Sequence, residues 1–389
     1  MLVKEIIEHE EEMIKIRRDF HAHPELGFEE HRTSDIIAAL LLKWGYQVDR
    51  GIGKTGLVGT LQVGSGEKRL GIRADMDALP MQELAAVDYV SQYPGKMHAC
   101  GHDGHCAILL SAAKYLAETR NFSGTLHLIF QPSEESIGGA RVMIEEGLFQ
   151  RFPCDAIFGL HNYPLYPAGH FFTKPGALMA SSDSFTVTLT GKGGHGSTPE
   201  HCIDPLPCAA NIVLALQTIV SRNVDPQTPA VVTVGSLQAG TTHNIIPDSV
   251  VIKINTRSFC PATRDAIEKQ IRHIVISQAK SYYLEASIEK VFGYPATINY
   301  PAETAFALDI ARQTVGEDYV GDPRDFKPLM GSEDFSFMLQ EVPGCYLMLG
   351  TGKREGENYS VHHPRYEFND DCISVGASYW ARLTEAYLA

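Results

Sequence analysis

Near residue 181 the hydrophobic pattern of this chain changes period, and that change restricts the folds open to it. Before it, helical and strand patterns alternate. A helix near 33–45 is followed by strands at 56–63 and 69–75. A long helix after His105 carries Ile108, Leu109, Ala112, Ala113 and Leu116, and strands follow at Leu126–Phe130 and Ala156–Leu160. Such alternation predicts an α/β unit, a helix-covered and mostly parallel sheet whose strand-end loops carry the chemistry. From Ser184 to Thr190 polar and apolar residues then alternate in strict period two, as in a half-buried strand. A helix at 205–221, strands at 230–238 and 249–257, a helix at 262–279 and a strand near 284–291 complete a β-α-β-β-α-β order. That is a split-βαβ, ferredoxin-like α+β domain. After Pro295 the α/β texture returns and ends in an amphipathic helix at 371–388. With 389 residues, too many for one ordinary core, we expect a larger domain in two segments, 1–180 and 296–389, interrupted by an inserted domain at 181–295.

The chemistry is concentrated in the first segment. His98-Ala-Cys-Gly-His-Asp-Gly-His105 packs one thiol and three imidazoles into eight residues, and Gln131-Pro-Ser-Glu-Glu135 sets two carboxylates side by side. Soft and borderline donors beside a carboxylate pair suit a divalent-metal hydrolase, in which a spare carboxylate activates water. In an extended segment Cys100 and His102 would point to one side. Glu134 and Glu135, being adjacent, divide the work: one binds metal while the other faces the substrate. The pair could also be a solvated start of a helix, where the dipole favours carboxylates.

Two further histidine sites stand at predicted strand or loop ends, Gly159-Leu-His-Asn162 and Val361-His-His-Pro364, and together they could complete a two-metal ligand set. Asp75 and Asp77, at the end of a strand, would orient ligand imidazoles from behind, or serve a cap or turn. Ser332 most simply caps the helix that follows it. Gly51-Ile-Gly-Lys-Thr-Gly56 imitates a phosphate loop. The full pattern needs glycine at position 48, which is Val48, and the segment leads into a strand, so a turn is expected.

A net charge of −14 argues against nucleic acid as the main partner. Eight scattered cysteines without repeated spacing favour a reducing, cytoplasmic setting over a disulfide scaffold. The N-terminus reads as one amphipathic helix with Leu2, Ile6, Ile7, Met13 and Ile14 on its buried side, not as a signal peptide. No apolar run approaches a membrane span.

In this order, Cys-Gly-His-Asp-Gly-His, Pro-Ser-Glu-Glu, Gly-Leu-His and His-His-Pro resemble the metallo-amidohydrolases that include aminoacylases, hippurate hydrolases and plant auxin-conjugate hydrolases. These are a branch of the dinuclear zinc-peptidase superfamily. The resemblance runs from His21-Ala-His-Pro-Glu-Leu-Gly27 to Tyr366-Glu-Phe-Asn-Asp370. It implies two divalent metal ions per subunit (zinc or manganese, with cobalt or nickel also compatible with the donors). They would be held by Cys100, His102, Glu135, His161 and His362, with Glu134 as general base; His363 is the alternative to His362. It implies that the inserted domain is a lid through which subunits form homodimers or higher homo-oligomers. His195, in Gly193-Gly-His-Gly196, resembles a histidine that stabilises the tetrahedral intermediate, often across the dimer. Asn244 and Arg257 would hold the substrate carboxylate, which the planar guanidinium fork suits. The activity implied is hydrolysis of N-acyl amino acids. A dipeptidase or carboxypeptidase with the same site is the nearest alternative, and a metal-stabilised binding protein, which would not need Glu134, is a more distant one.

Overall fold

The computed structural model describes residues 1–136, 138–353 and 357–389. Two compact units are present: Met1–Leu178 with Ile298–Lys327 and Asp334–Ala389, and Met179–Thr297 with Pro328–Glu333.

The first unit is built on a seven-stranded sheet. Its strands are β1 (Gln47–Ile52), β2 (Gly56–Val63), β3 (Arg69–Asp75), β4 (Gly124–Gln131), β5 (Ala156–Pro167), β6 (Phe171–Phe172) and a late strand, Gly344–Gly352. The order is β1-β2-β4-β3-β5, then Gly344–Gly352, then β6. The centre, β4-β3-β5 and the late strand, is parallel, while both flanks pair antiparallel, so the sheet is mixed. β3 is buried at every residue after Arg69, the continuous burial expected of a strand covered on both faces. Residues 53–55 form the hairpin turn between β1 and β2, with Gly53 and Lys54 in the left-handed region, so the segment that imitates a phosphate loop is a turn.

Helices α1 (Lys4–Glu8), α2 (Glu10–Ala22), α3 (His31–Lys43) and α4 (His102–Thr119) belong to the same unit. In α4, 15 of 18 residues are buried, so it is a central helix and not a surface one. The single N-terminal helix expected from the sequence is instead two, α1 and α2, separated at His9. The break turns Ile6 and Met13 into the core and leaves Ile7 at 47% exposure. Among the described residues no helix is long and apolar enough to cross a membrane.

A buried ionic cluster fixes the start of α4. His21 on α2 sets Nδ1 2.9 Å from Asp103 and Nε2 3.0 Å from Glu83, while Arg17 reaches Asp103 at 3.3 Å and Asp370 at 2.8 Å. Burial opposes a charge on His21, but the bonds to Asp103 and Glu83 outweigh it and raise its pKa to about 9. Because the folded value lies above the ordinary 6.5, this stabilisation is complete below pH 6.5 and is lost as pH rises through 9. We expect the thermal midpoint, with metal held constant, to fall across that window by the equivalent of about 3 kcal/mol. In His21→Gln the fall should flatten. An unchanged slope in that variant would show that another group titrates.

The second unit holds a four-stranded antiparallel sheet in the order Ala230–Ala239, Ser249–Ser258, Ser181–Thr190, Glu285–Phe292. Helices Pro205–Thr218 and Pro261–Ser281 cover one face, packing Ile212 and Ile271 with Val187, Leu189 and Ile252. Ser181–Thr190 buries alternate residues, the structural counterpart of its period-two sequence.

Candidate metal centre

Parallel strands deliver their C-terminal ends to one place, and the candidate residues lie there. Asp75 ends β3, Gln131 ends β4 opposite it, and His161 lies on β5. Arg73 is fully buried beneath them. It bonds Asp75 at 2.7 Å, Gln131 at 2.7 Å and Asp334 at 2.8 Å, and so joins strands β3 and β4 to the segment that precedes Phe335–Glu341.

Cys100 and His102 do not share an extended segment. The chain reverses at Gly101, with φ at +88°, and His102 is the first residue of α4. A side chain at 101 would meet Asn162 Nδ2 and Tyr366 Oη at 2.4 Å, so only glycine fits both the backbone angle and the space. The reversal sets the Cys100 Sγ 3.4 Å from His161 Nε2. His161 Nδ1 lies 2.7 Å from the Asn162 carbonyl, which takes its proton and leaves Nε2 as the donor atom facing Cys100.

Glu134 and Glu135 lie on a turn, not on a helix start; the helix α5 begins only at Gly139 and ends at Glu145. Asp77 accepts the backbone N–H of both glutamates at 3.0 Å. Glu135 Oε1 meets His362 Nε2 at 2.9 Å, and Glu134 Oε1 accepts the Asp334 N–H at 3.3 Å. The two glutamates therefore face different partners. His362 has a φ of +64°, uncommon for a side-chain-bearing residue, and its N–H bonds Ala99 O at 2.8 Å. His363 stacks on Tyr359 instead, with ring centroids 4.4 Å apart, and its Nδ1 accepts the Arg365 N–H.

Among the described residues, several groups of donors have their atoms within 4.8 Å of one another. Three overlap around Cys100, His102 and Glu135: Cys100, His102 and His161; Cys100, Glu135 and His362; His102, Glu134 and Glu135. A further group, Asp75, His102 and His105, shares His102 with them. The residues fit a cation. Both ring nitrogens of His102 are buried without a hydrogen-bond partner among the described residues, although Asp77 lies 3.3 Å from Nδ1 and Asp75 3.6 Å from Nε2. Burial disfavours charge there, yet Asp75 and Asp77 lift the His102 pKa to about 10, so the pocket stabilises a positive charge at this point. Burial, with Glu135 and Glu134 adjoining, pushes the Cys100 thiol well up, so forming the thiolate requires a neighbouring cation. Burial and the adjacent His105 push His161 down to about 3, keeping it neutral as a ligand must be.

The other two imidazoles of the motif lie outside the three overlapping sets. His105 bonds Asp75 at 2.6 Å and accepts from the Asn162 N–H at 3.0 Å. His98 is buried and held neutral by that burial, with its pKa at about 3. Asn162 was not singled out in the sequence. Its Nδ2 bonds Cys100 O at 2.6 Å and its Oδ1 accepts the Tyr366 hydroxyl at 2.7 Å, so it ties three segments together. Adjacency to His161 was the available signal.

The remaining expected residues lie in the second unit. His195 is exposed in a short strand paired with Ile245, and Asn244 adjoins it through the Gly196 N–H. Arg257 bonds Asn255 at 3.0 Å and Ser332 Oγ at 2.9 Å. Ser332 therefore does not cap the next helix, which starts after Asp334 and has no side-chain cap.

The sequence profile of peptidase family M20/M25/M40 matches residues 71–386. The hippurate hydrolase of Campylobacter jejuni is 45% identical over 387 residues, covering 100% of this chain and 99% of that protein. IAA-amino acid hydrolase ILR1-like 4 of Arabidopsis thaliana is 40% identical, with 97% of this chain and 86% of that protein covered. The crystal structure of the Bacillus subtilis YXEP protein, described as a dinuclear metal binding peptidase from the M20 family, superposes with a TM-score of 0.83. The two are 32% identical, with 98% of this chain and 99% of that one covered.

Proposed function

This chain belongs to peptidase family M20/M25/M40, and from that premise we propose that it is a metal-dependent amidohydrolase that cleaves N-acyl amino acids to a carboxylate and a free amino acid. The observation that carries this reading is the division between the two adjacent glutamates. Glu135 turns to His362, whereas Glu134, within reach of His102 and Glu135, is buried against a backbone N–H. A binding protein has no use for that second carboxylate.

Cys100, His102, Glu135, His161 and His362 would hold two divalent ions, zinc or manganese as the first choice, with Asp75 and Asp77 orienting the ligands. When bound, such ions supply Lewis acidity that polarises the scissile carbonyl and acidifies a water. Glu134 would take the proton from that water and return it to the leaving amine. The Asp334 N–H meets Oε1 of Glu134 at 3.3 Å, a bond that helps to orient its carboxylate. His195 would stabilise the oxyanion, and Arg257 with Asn244 would select a free carboxylate on the substrate. All eight cysteines are free thiols, which supports a cytoplasmic enzyme, and the family resemblance supports a homodimer.

A panel of N-acyl amino acids and dipeptides, assayed for released amine with metal-defined enzyme, tests the reading. N-acetyl and N-benzoyl amino acids should be cleaved with kcat/KM at least about tenfold above unblocked dipeptides. His195→Ala should lower kcat more than it raises KM. Preference for dipeptides would make the enzyme a peptidase with the same site, and an unchanged kcat would remove His195 from the reaction.

A further inference from the structure

The turn that presents Glu134 and Glu135 is held from behind by a residue outside the family motifs quoted above. Ser133 has a φ of +55°, a left-handed angle that costs a side-chain-bearing residue of order 1 kcal/mol and persists only where the surroundings impose it. Three successive N–H groups, those of Ser133, Glu134 and Glu135, point outward from this turn as a small nest. Asp77 takes the last two. The first goes to Glu30, whose Oε1 accepts the Ser133 N–H at 2.8 Å. Glu30 is fully buried at the start of α3, and its other oxygen accepts the Thr55 hydroxyl at 2.6 Å from the β1–β2 hairpin turn. The turn is closely packed against two glycines. A side chain at Gly27 would lie 2.6 Å from Ser133 Oγ, and one at Gly139 would lie 1.7 Å from Pro132 O.

We propose that Glu30 is a positioning residue for the reaction: its carboxyl oxygen, by reaching the Ser133 N–H, holds the left-handed turn that aims Glu134 at the substrate and Glu135 at the metal. The inference rests on the function proposed above. What the turn needs from Glu30 is an acceptor at the right distance, not a charge. Burial, with Asp77 as the charged neighbour, pushes the Glu30 carboxyl up to about 7, against the pull of the bonds from Thr55 and Ser133, so near neutrality the group is already partly uncharged.

Two conservative variants separate reach from charge. Glu30→Gln keeps the reach and drops the charge; its amide oxygen can accept from Ser133 while its NH2 faces the Thr55 oxygen. Glu30→Asp keeps the charge and withdraws the oxygen by one methylene. With metal-saturated enzyme, Glu30→Asp should lower kcat by about 10–100-fold with KM within about twofold, whereas Glu30→Gln should stay within about threefold of wild type. Metal retention, measured by elemental analysis after dialysis against a chelator, should follow the same order, with affinity weakened about tenfold in Glu30→Asp alone. Equal behaviour of the two variants, whether both impaired or both normal, overturns the proposal. So does a Glu30→Asp enzyme that melts earlier but keeps its kcat and its metal, since that is a purely structural role. If wild type cleaves nothing in the N-acyl amino acid panel, the functional reading fails while metal retention still decides the role of Glu30.

Discussion

Glu134→Gln is expected to lower kcat by about 10²–10⁴-fold while bound metal stays at the wild-type level. The amide has nearly the shape of the carboxylate, and its oxygen can still accept the Asp334 N–H that Glu134 accepts at 3.3 Å. It cannot take a proton from water. Glu134 is only 6% exposed, so bulk solvent gives poor access for a substitute base. The metal content should be unaffected because Glu135, not Glu134, is the carboxylate that meets His362. Parallel measurement of kcat and of metal by elemental analysis checks both halves. A metal-loaded variant with near-wild-type kcat would take Glu134 out of the proton-transfer role.

Removing the metal is the second large effect. Chelation should abolish turnover, and adding back a divalent ion should restore it. Cys100→Ala and His161→Ala should each lose metal as well as rate, since their donor atoms are 3.4 Å apart and share one donor set. Acid should promote the loss. Burial and the nearby glutamates hold the Cys100 thiol well above its ordinary pKa, so thiolate ligation releases a proton and metal affinity climbs with pH. Full occupancy in both alanine variants would mean that other side chains hold the ion.

The architecture was legible where burial follows a regular period. The Ser184–Thr190 alternation lies within a strand covered on one face, and the continuous apolar runs became the buried parallel centre of the large sheet. What the pattern could not convey was local backbone geometry. Cys-Gly-His spacing does not reveal that Gly101 reverses the chain, because the angle is imposed by Asn162 and Tyr366 from remote segments. Glu134 and Glu135 suggested a helix start, but Ser133 in a left-handed conformation keeps them on a turn. Ser332 looked like a cap, and Arg257 engages it instead. The candidate ligands themselves were readable, since each carries its chemistry in its side chain. The residues that aim them were harder to read: adjacency to His161 is all that marks Asn162, and Glu30, a buried carboxyl, has no distinguishing neighbour in one dimension.

The late strand Gly344–Gly352 carries a consequence for how the molecule comes into being. It pairs with β5 on one side and β6 on the other, and among the described residues β6 has no other partner strand in that sheet. His362 follows it, whereas Cys100, His102, Glu135 and His161 are all made much earlier. A chain still emerging from the ribosome at residue 340 therefore has an unfinished sheet edge, and the Cys100–Glu135–His362 donor set lacks a member. The inserted unit, by contrast, has all four strands of its sheet by residue 292. Synthesis order thus lets the insertion fold while the metal-binding half waits, and the complete ligand set exists only after the last tenth or so of the polypeptide has begun to appear.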